Sequence, residues 1–372
     1  MKRRKFLKKT GIAAGTLAAA GMATACGSSS DSDSQGAGAP AISTKKYTWR
    51  AVTTWPPSLP VLGSAMQRIA DELEVMSSGR LKIKVYNAGE LIPGLEVFDA
   101  VTQGAAQVGH GAAYYWAGKI PASVFFASIP FGMNAQQMNS WLFYGGGWDL
   151  WKELYRQYGL EPFPAGNTGV QMGGWFNKEV QSIEDYQGLK MRIPGLGGKV
   201  VSKAGGSAIT VAGGEIYTNL ERGNIDATEW IGPYHDYEMG FHQVAKYYYY
   251  PGWHEPGTVL EMIANKKAYD ELPLELQEMV RAVALKYNQL VLSEFEAKNN
   301  AYLVKMIEEE GVKLRKFPDK VLDILKGYSQ EVVEELIADD ASGKRIYDSF
   351  FKFKQDITEW SKTTERAILP YL

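Results

Sequence analysis

The chain has 372 residues, 45% hydrophobic and 22% charged, an ordinary globular composition that is enough for one large domain or two lobes. Its net charge is −2, but the first 25 residues hold six positive charges and no acidic group, which leaves −8 on residues 26–372. An acidic body argues against nucleic-acid binding, which needs a basic footprint, and the lone Cys26 rules out an internal disulfide.

Residues 1–25 have a basic start and then an apolar stretch of small residues, as a secretory signal does. "RRKFLK" resembles the twin-arginine export motif, with Lys2 where Ser or Thr usually precedes the pair. "ATAC" resembles a lipobox, with Ala23 where Leu is usual. Two outcomes stay open: acylation of Cys26 as the first mature residue, or cleavage near "ATA" to release a soluble protein. The apolar stretch is too short to span a bilayer stably, and no later stretch reaches ~18 uninterrupted apolar residues. The body is therefore expected to be soluble and outside the cytoplasm. Residues 26–46 are Gly-, Ser- and Ala-rich and read as a flexible tether.

Order is expected from "YTWRAVT" (47–53), a strand pattern ended by Pro56-Pro57. Leu62, Met66, Ile69, Leu73 and Met76 recur at helical spacing up to Gly79. "LKIKVY" (81–86) alternates strictly, as a half-buried strand does. "LEVFDAVTQG" (95–104) reads as a short helix with a glycine stop, and "AQVGHGAAYYW" as a strand and loop. This succession predicts an α/β fold with a parallel sheet. A second α/β region starts near residue 166. "TGVQMGGWFN" and "GLKMRIPG" are expected strands, followed by helices at 198–204 and before Gly223, and a strand into Glu229-Trp230. "TVLEMIANKKAYDELP" returns to strand and helix. Residues 274–310 contain no Gly or Pro and predict one very long helix, or two with a bend, stopping at Gly311. Ile346, Phe350, Phe353, Ile357 and Trp360 form another helical stripe, which packs on the chain's own body or on a partner subunit.

Catalytic signatures are scarce. His110, His235, His242 and His254 lie in no HExxH or Cys/His pattern, so a zinc site is not indicated. There is no G-x-S-x-G elbow and no P-loop; "PGLGGK" lacks the spacing. With 42 acidic residues a carbohydrate-active enzyme acting through a carboxylate pair stays open, but no pair stands out. A two-lobed body without a catalytic motif points to a ligand clamp that closes about a hinge.

"LKIKVYNAGELIPGLEVFDAVTQGAAQVGHG", "IEDYQGLKMRIPG" and "AGGEIYTNLERGNIDATEW" together resemble the signatures of DctP-type solute-binding proteins of TRAP (tripartite ATP-independent periplasmic) transporters. The resemblance runs from about residue 47 to the end. "EWIGPYHDYEMGF", "YYYYPGWHEPG" and the extended C-terminal helices look most like the branch that binds 2-oxo acids such as pyruvate, or lactate, with a metal ion.

The resemblance implies a two-lobed periplasmic-binding-protein-like fold with a hinge between the lobes and long C-terminal helices. Residues 47–165 would form lobe I and 166–255 lobe II. Residues 256–310 would return to lobe I and supply the long helix, and 311–372 the C-terminal helices. Arg192 matches the arginine that grips the ligand carboxylate. That role suits a guanidinium, which offers two parallel donors and stays charged when buried. Gln171, Glu229, Trp230 (through its backbone carbonyl) and Glu255 match a cation site that the ligand completes. All-oxygen ligands suit Na⁺ or Ca²⁺. Tyr114, Tyr115 and Trp116 fall in the first-lobe ligand loop, and Trp55 and Trp253 are candidate cleft walls; Asn167 and Trp175 are weaker candidates. A single arginine fits a small monocarboxylate; a bulkier sugar acid or aromatic acid is the alternative. The implied partners are TRAP membrane subunits and a second copy of the chain through the C-terminal helices.

Overall fold

A computed structural model of the protein describes residues 44–372. The expected signal, Cys26 and most of the expected tether lie outside the described residues. Eleven strands are present among the described residues: β1 (Tyr47–Thr53), β2 (Leu81–Tyr86), β3 (Val108–Gly111), β4 (Leu160–Asn167), β5 (Gly174–Phe176), β6 (Lys190–Arg192), β7 (Ser207–Ile209), β8 (Ala227–Thr228), β9 (Tyr247–Tyr250), β10 (Val259–Asn265) and β11 (Lys313–Lys316). They form two sheets, one in each lobe, ordered β2-β1-β3-β10-β4 and β11-β9-β5-β8-β6-β7.

In the first sheet the alternation of "LKIKVY" is realised directly. Leu81 and Ile83 are buried, while Lys82 and Lys84 face water. β2 runs parallel to β1, pairing Tyr47 with Leu81 and Val52 with Tyr86. The helix Leu62–Met76 lays Leu62, Met66, Ile69 and Leu73 into the same core. Gly109 in β3 is needed because the helix Val97–Thr102 lies so close. A Cβ there would come within 2.6 Å of Val97 and 2.9 Å of Val101.

The sheet is mixed rather than parallel as expected, because β10 returns antiparallel between β3 and β4. β4 itself, "LEPFPAGN", has no counterpart among the expected strands, and it carries Pro162 and Pro164. The prolines are tolerated because β4 pairs on one side only, with β10.

The second sheet is built of short strands and is also mixed: β6 runs parallel to β7 and β8, whereas β5 is antiparallel to β8 and β9. Of "TGVQMGGWFN" only Gly174–Phe176 is a strand. The preceding N–H groups are spent elsewhere: Gln171 donates to Glu255 O, Met172 to Ile231 O and Gly173 to Tyr249 O. The helix expected from 198 begins at Gly195, directly after Pro194.

Residues 274–308 form one helix, Leu274–Glu308. Its first half buries Leu276, Val280, Val283 and Tyr287 with the first lobe's core residues Phe163 and Met262. Further along, Phe295 packs on His235 at 4.8 Å and Asn299 Oδ1 accepts the Tyr234 N–H, so the same helix also holds the second lobe. The helix Asp319–Ile337 follows β11, and Ala341–Thr363 carries the last stripe. Ile346 and Phe350 of that stripe are buried, Phe350 against Phe125 and Trp141, whereas Trp360 is 63% exposed.

Candidate solute and cation site

β6 pairs with β8 so that Arg192 stands opposite Thr228, and the next residue, Glu229, lies alongside the guanidinium. Both side chains are 1% exposed and form an ion pair through Arg192 Nη1 and Glu229 Oε1. The remaining donors are weakly engaged, with Nε and Nη2 each 3.4 Å from Val211 O and Nη1 3.3 Å from Glu229 O. Trp230 lies beneath the guanidinium, with Cζ 5.1 Å from the ring centre. Burial works against the arginine's charge, but the Glu229 carboxylate together with the Tyr115 and Tyr114 hydroxyls outweighs it and the pKa rises. Arg192 is therefore a cation at every accessible pH, so placed that an incoming carboxylate would replace long contacts with short ones.

The second half of the site comes from the loop after β9 and the segment between β4 and β5. Glu255 is 4% exposed; its Oε2 accepts from Gln171 Nε2 at 2.7 Å, from Tyr114 Oη at 3.5 Å and from the Thr258 hydroxyl. Burial, and then the nearby Glu229 charge, push Glu255 up to about 7. His254 Nε2 sits 3.1 Å from Glu229 Oε2. One ligand atom from each of Glu229, His254 and Glu255 lies within 4.8 Å of the others. Gln171 Oε1 is buried without a hydrogen-bond partner. An orphaned amide oxygen beside two buried carboxylates has the chemistry of a hard-cation site. The residues therefore fit a sodium or calcium ion.

Of the sequence-predicted residues, the structure brings Arg192, Gln171, Tyr114, Tyr115, Glu229, Trp230 and Glu255 together. Tyr115 lies close enough to Arg192 to feel its charge, but burial chiefly raises its pKa, so its hydroxyl stays neutral. Trp116 turns into the first lobe, where its Nε1–H bonds Glu261 and its ring packs on Phe98. Trp253 stacks on Phe131 at 5.8 Å. Trp175 stacks on Tyr248 and donates to Asp236, and Asn167 Oδ1 accepts the Gly169 N–H. Trp55 donates to His110 Nδ1 and meets Trp230 edge-on at 6.3 Å. His254, Thr258 and Thr168, which accepts from Gln171 Nε2 at 3.2 Å, were not foreseen. His254 adjoins Glu255 in "WHEPG", and that adjacency was the available signal. A cleft of about 580 Å³ opens between the lobes beside Val211, lined by Thr54, Pro56, Ile92 and Glu215 among others.

Two lobes sharing a long helix, with a desolvated arginine and carboxylates where they meet, define a solute receptor rather than a surface-acting module. The description "bacterial extracellular solute-binding protein, family 7", the DctP type, matches residues 51–340, and the chain belongs to this family. It is 41% identical over 365 residues to a monocarboxylate 2-oxoacid-binding periplasmic protein of Nostoc sp., covering 98% of this chain and 97% of the relative. A TRAP periplasmic solute-binding protein of Pseudoalteromonas atlantica, solved with sodium and pyruvate, is 42% identical. It superposes with a TM-score of 0.85 over 88% of this chain and all of its own. A Colwellia psychrerythraea counterpart, solved with calcium and pyruvate, gives the same identity, TM-score and coverage.

Proposed function

We propose that this protein captures a small 2-oxo or 2-hydroxy monocarboxylate together with Na⁺ or Ca²⁺ and delivers it to TRAP membrane subunits. The observation that carries this reading is the buried Arg192 beside Glu229, Glu255 and the unpartnered Gln171 Oε1. Arg192 would take the carboxylate, and Tyr114 or Tyr115 would donate to the remaining oxygens. Gln171, Glu229, Glu255 and the Trp230 carbonyl would hold the cation. When bound, the cation neutralises the carboxylates and draws in the ligand's own oxygens. Trp116 and Trp253 support the surrounding walls from behind. Upstream of the described residues, the signal-like segment and Cys26 are consistent with export and with a lipid anchor. Among the described residues no helix is long and apolar enough to cross a membrane.

Calorimetry of stripped protein with pyruvate, 2-oxobutyrate and lactate, each with Na⁺, with Ca²⁺ or with chelator, tests the reading. We expect binding that requires a cation. Arg192→Ala should abolish it and Arg192→Lys should not restore it, since an ammonium cannot present two parallel donors. Cation-independent binding, or full affinity in Arg192→Ala, would refute the assignment. Heat only with a sugar acid or aromatic acid would redirect it to a bulkier ligand.

We also propose a homodimer built on the C-terminal helices. Trp360, Ile368, Leu369, Tyr371 and Leu372 leave an apolar end uncovered. Sedimentation should give twice the monomer mass at micromolar concentration, and removal of residues 359–372 should give the monomer.

A further inference from the structure

Each lobe presents one tryptophan to the other, and each indole is held by an imidazole. In the first lobe Trp55 Nε1 donates to His110 Nδ1 at 2.8 Å. In the second, Trp230 Nε1 donates to His235 Nδ1 at 3.2 Å. The two indoles meet edge-on with centres 6.3 Å apart, directly beside Arg192. The second pair differs from the first in one respect. His110 Nε2 faces Ala165 O within its own lobe, whereas His235 Nε2 lies 2.5 Å from Pro60 O, across the boundary in the first lobe.

The Pro60 carbonyl is presented by an unusual turn. Val61 has φ 58° and ψ −73°, and the Leu62 N–H returns to Pro60 O at 2.6 Å. This is the rare γ-turn, unfavourable for a β-branched residue. Such backbone persists where its surroundings dictate it, and here it aims one carbonyl at an imidazole of the opposite lobe. His235 is fully buried, and because an indole N–H can only donate, its Nδ1 carries no proton and the ring is neutral. One nitrogen accepts from Trp230 and the other must then donate to Pro60. On the far side of the indole, a Cβ on Gly213 would come within 2.5 Å of Trp230, so the ring has no room to swing that way.

We propose that His235 is a positioning residue for solute capture: a latch that bonds the first lobe at Pro60 and, through the same ring, holds Trp230 against Arg192 when the lobes are closed. The proposal rests on Arg192 being the solute anchor. Lobe closure and the orientation of the binding wall then become a single event, because one imidazole satisfies both bonds.

The test measures interlobe separation by spin labels at Lys82→Cys and Arg222→Cys in a Cys26→Ser background, with and without pyruvate and Ca²⁺. Losing the latch bonds in His235→Leu should cut the short-separation population by about tenfold in both conditions and speed pyruvate release by a similar factor. His235→Gln, with a donor and an acceptor on one carboxamide, should restore most of both. Trp230→Phe keeps an aromatic ring but loses the indole donor. Combined with His235→Leu it should add little beyond either change alone; fully additive effects would show that His235 does not act through Trp230. Unchanged separations in His235→Leu would overturn the proposal. Should that variant fail to fold, nitrogen-15 spectra of the wild type decide: the Nε2–H tautomer is expected, and the Nδ1–H tautomer would overturn it. If pyruvate never shortens the wild-type distance, the solute reading alone fails, and the solute-free comparison still decides the latch.

Discussion

Glu261 is a buried carboxyl group that ligand capture does not account for. It sits on β10 in the first lobe with its two oxygens taken by Trp116 Nε1 and Tyr155 Oη. Burial pushes its pKa up to about 7 from an ordinary 4.5. The native state therefore binds a proton that the unfolded chain has released. The stabilisation is complete below about 4.5 and is lost as pH rises through about 7. Across that window the loss is on the order of 3 kcal/mol. Glu255 and Asp236 are also pushed up to about 7 and add to the same slope, so Glu261→Gln should reduce it by one group's share, which denaturant midpoints at pH 5 and pH 8 would reveal. An equal slope in the variant would place the titration elsewhere. At this same scale Arg192, Glu229 and Glu255 stood out only through the family resemblance of the motifs that hold them, since taken singly each reads as a solvated strand or loop residue. His254 did not, because a histidine with no second ligand at fixed spacing looks like any buried imidazole. Its partner Glu229 is 25 residues away.

Elements are held by contacts too close for ordinary side chains. Gly109→Ala would drive a methyl into Val97 and Val101 and separate β3 from the helix Val97–Thr102. A cost of about 1–3 kcal/mol is expected from such overpacking, read as a lowered melting temperature. Because β3 runs into the Tyr114–Tyr115 loop, a weaker affinity should accompany it. Elements with a clean period were legible from sequence: β1, β2 and the helix Leu62–Met76 have the expected bounds, and the absence of Gly and Pro exposed the long helix. Those whose signal was overridden were not. β4 hides behind Pro162 and Pro164. The segment before β5 has strand-like residues whose backbone bonds are divided among Glu255, Ile231 and Tyr249 of β9. A sheet's direction is set by non-local pairing, so β10 could be seen as a strand but not as one that reverses.

For the whole molecule, the deciding feature is that one helix serves both lobes. Leu274–Glu308 carries Val280 and Tyr287 in the first lobe's core and Phe295 and Asn299 against the second lobe. Relative motion of the lobes must therefore leave this helix as a common support. A shared core element also couples stability. Calorimetry of the solute-free protein should show one unfolding transition rather than two; two separated peaks would mean that the lobes melt as independent units.

The order of strands in the first sheet has a further consequence, for synthesis. β10 lies between β3 and β4, so those two strands have no partner in common until residues 259–265 have emerged. The second sheet likewise lacks its edge strand until 313–316. A nascent chain thus carries two unfinished sheets with open edges for most of its length, a state prone to wrong pairing. Neither lobe can be completed, or excised as a working fragment, before nearly the whole chain exists.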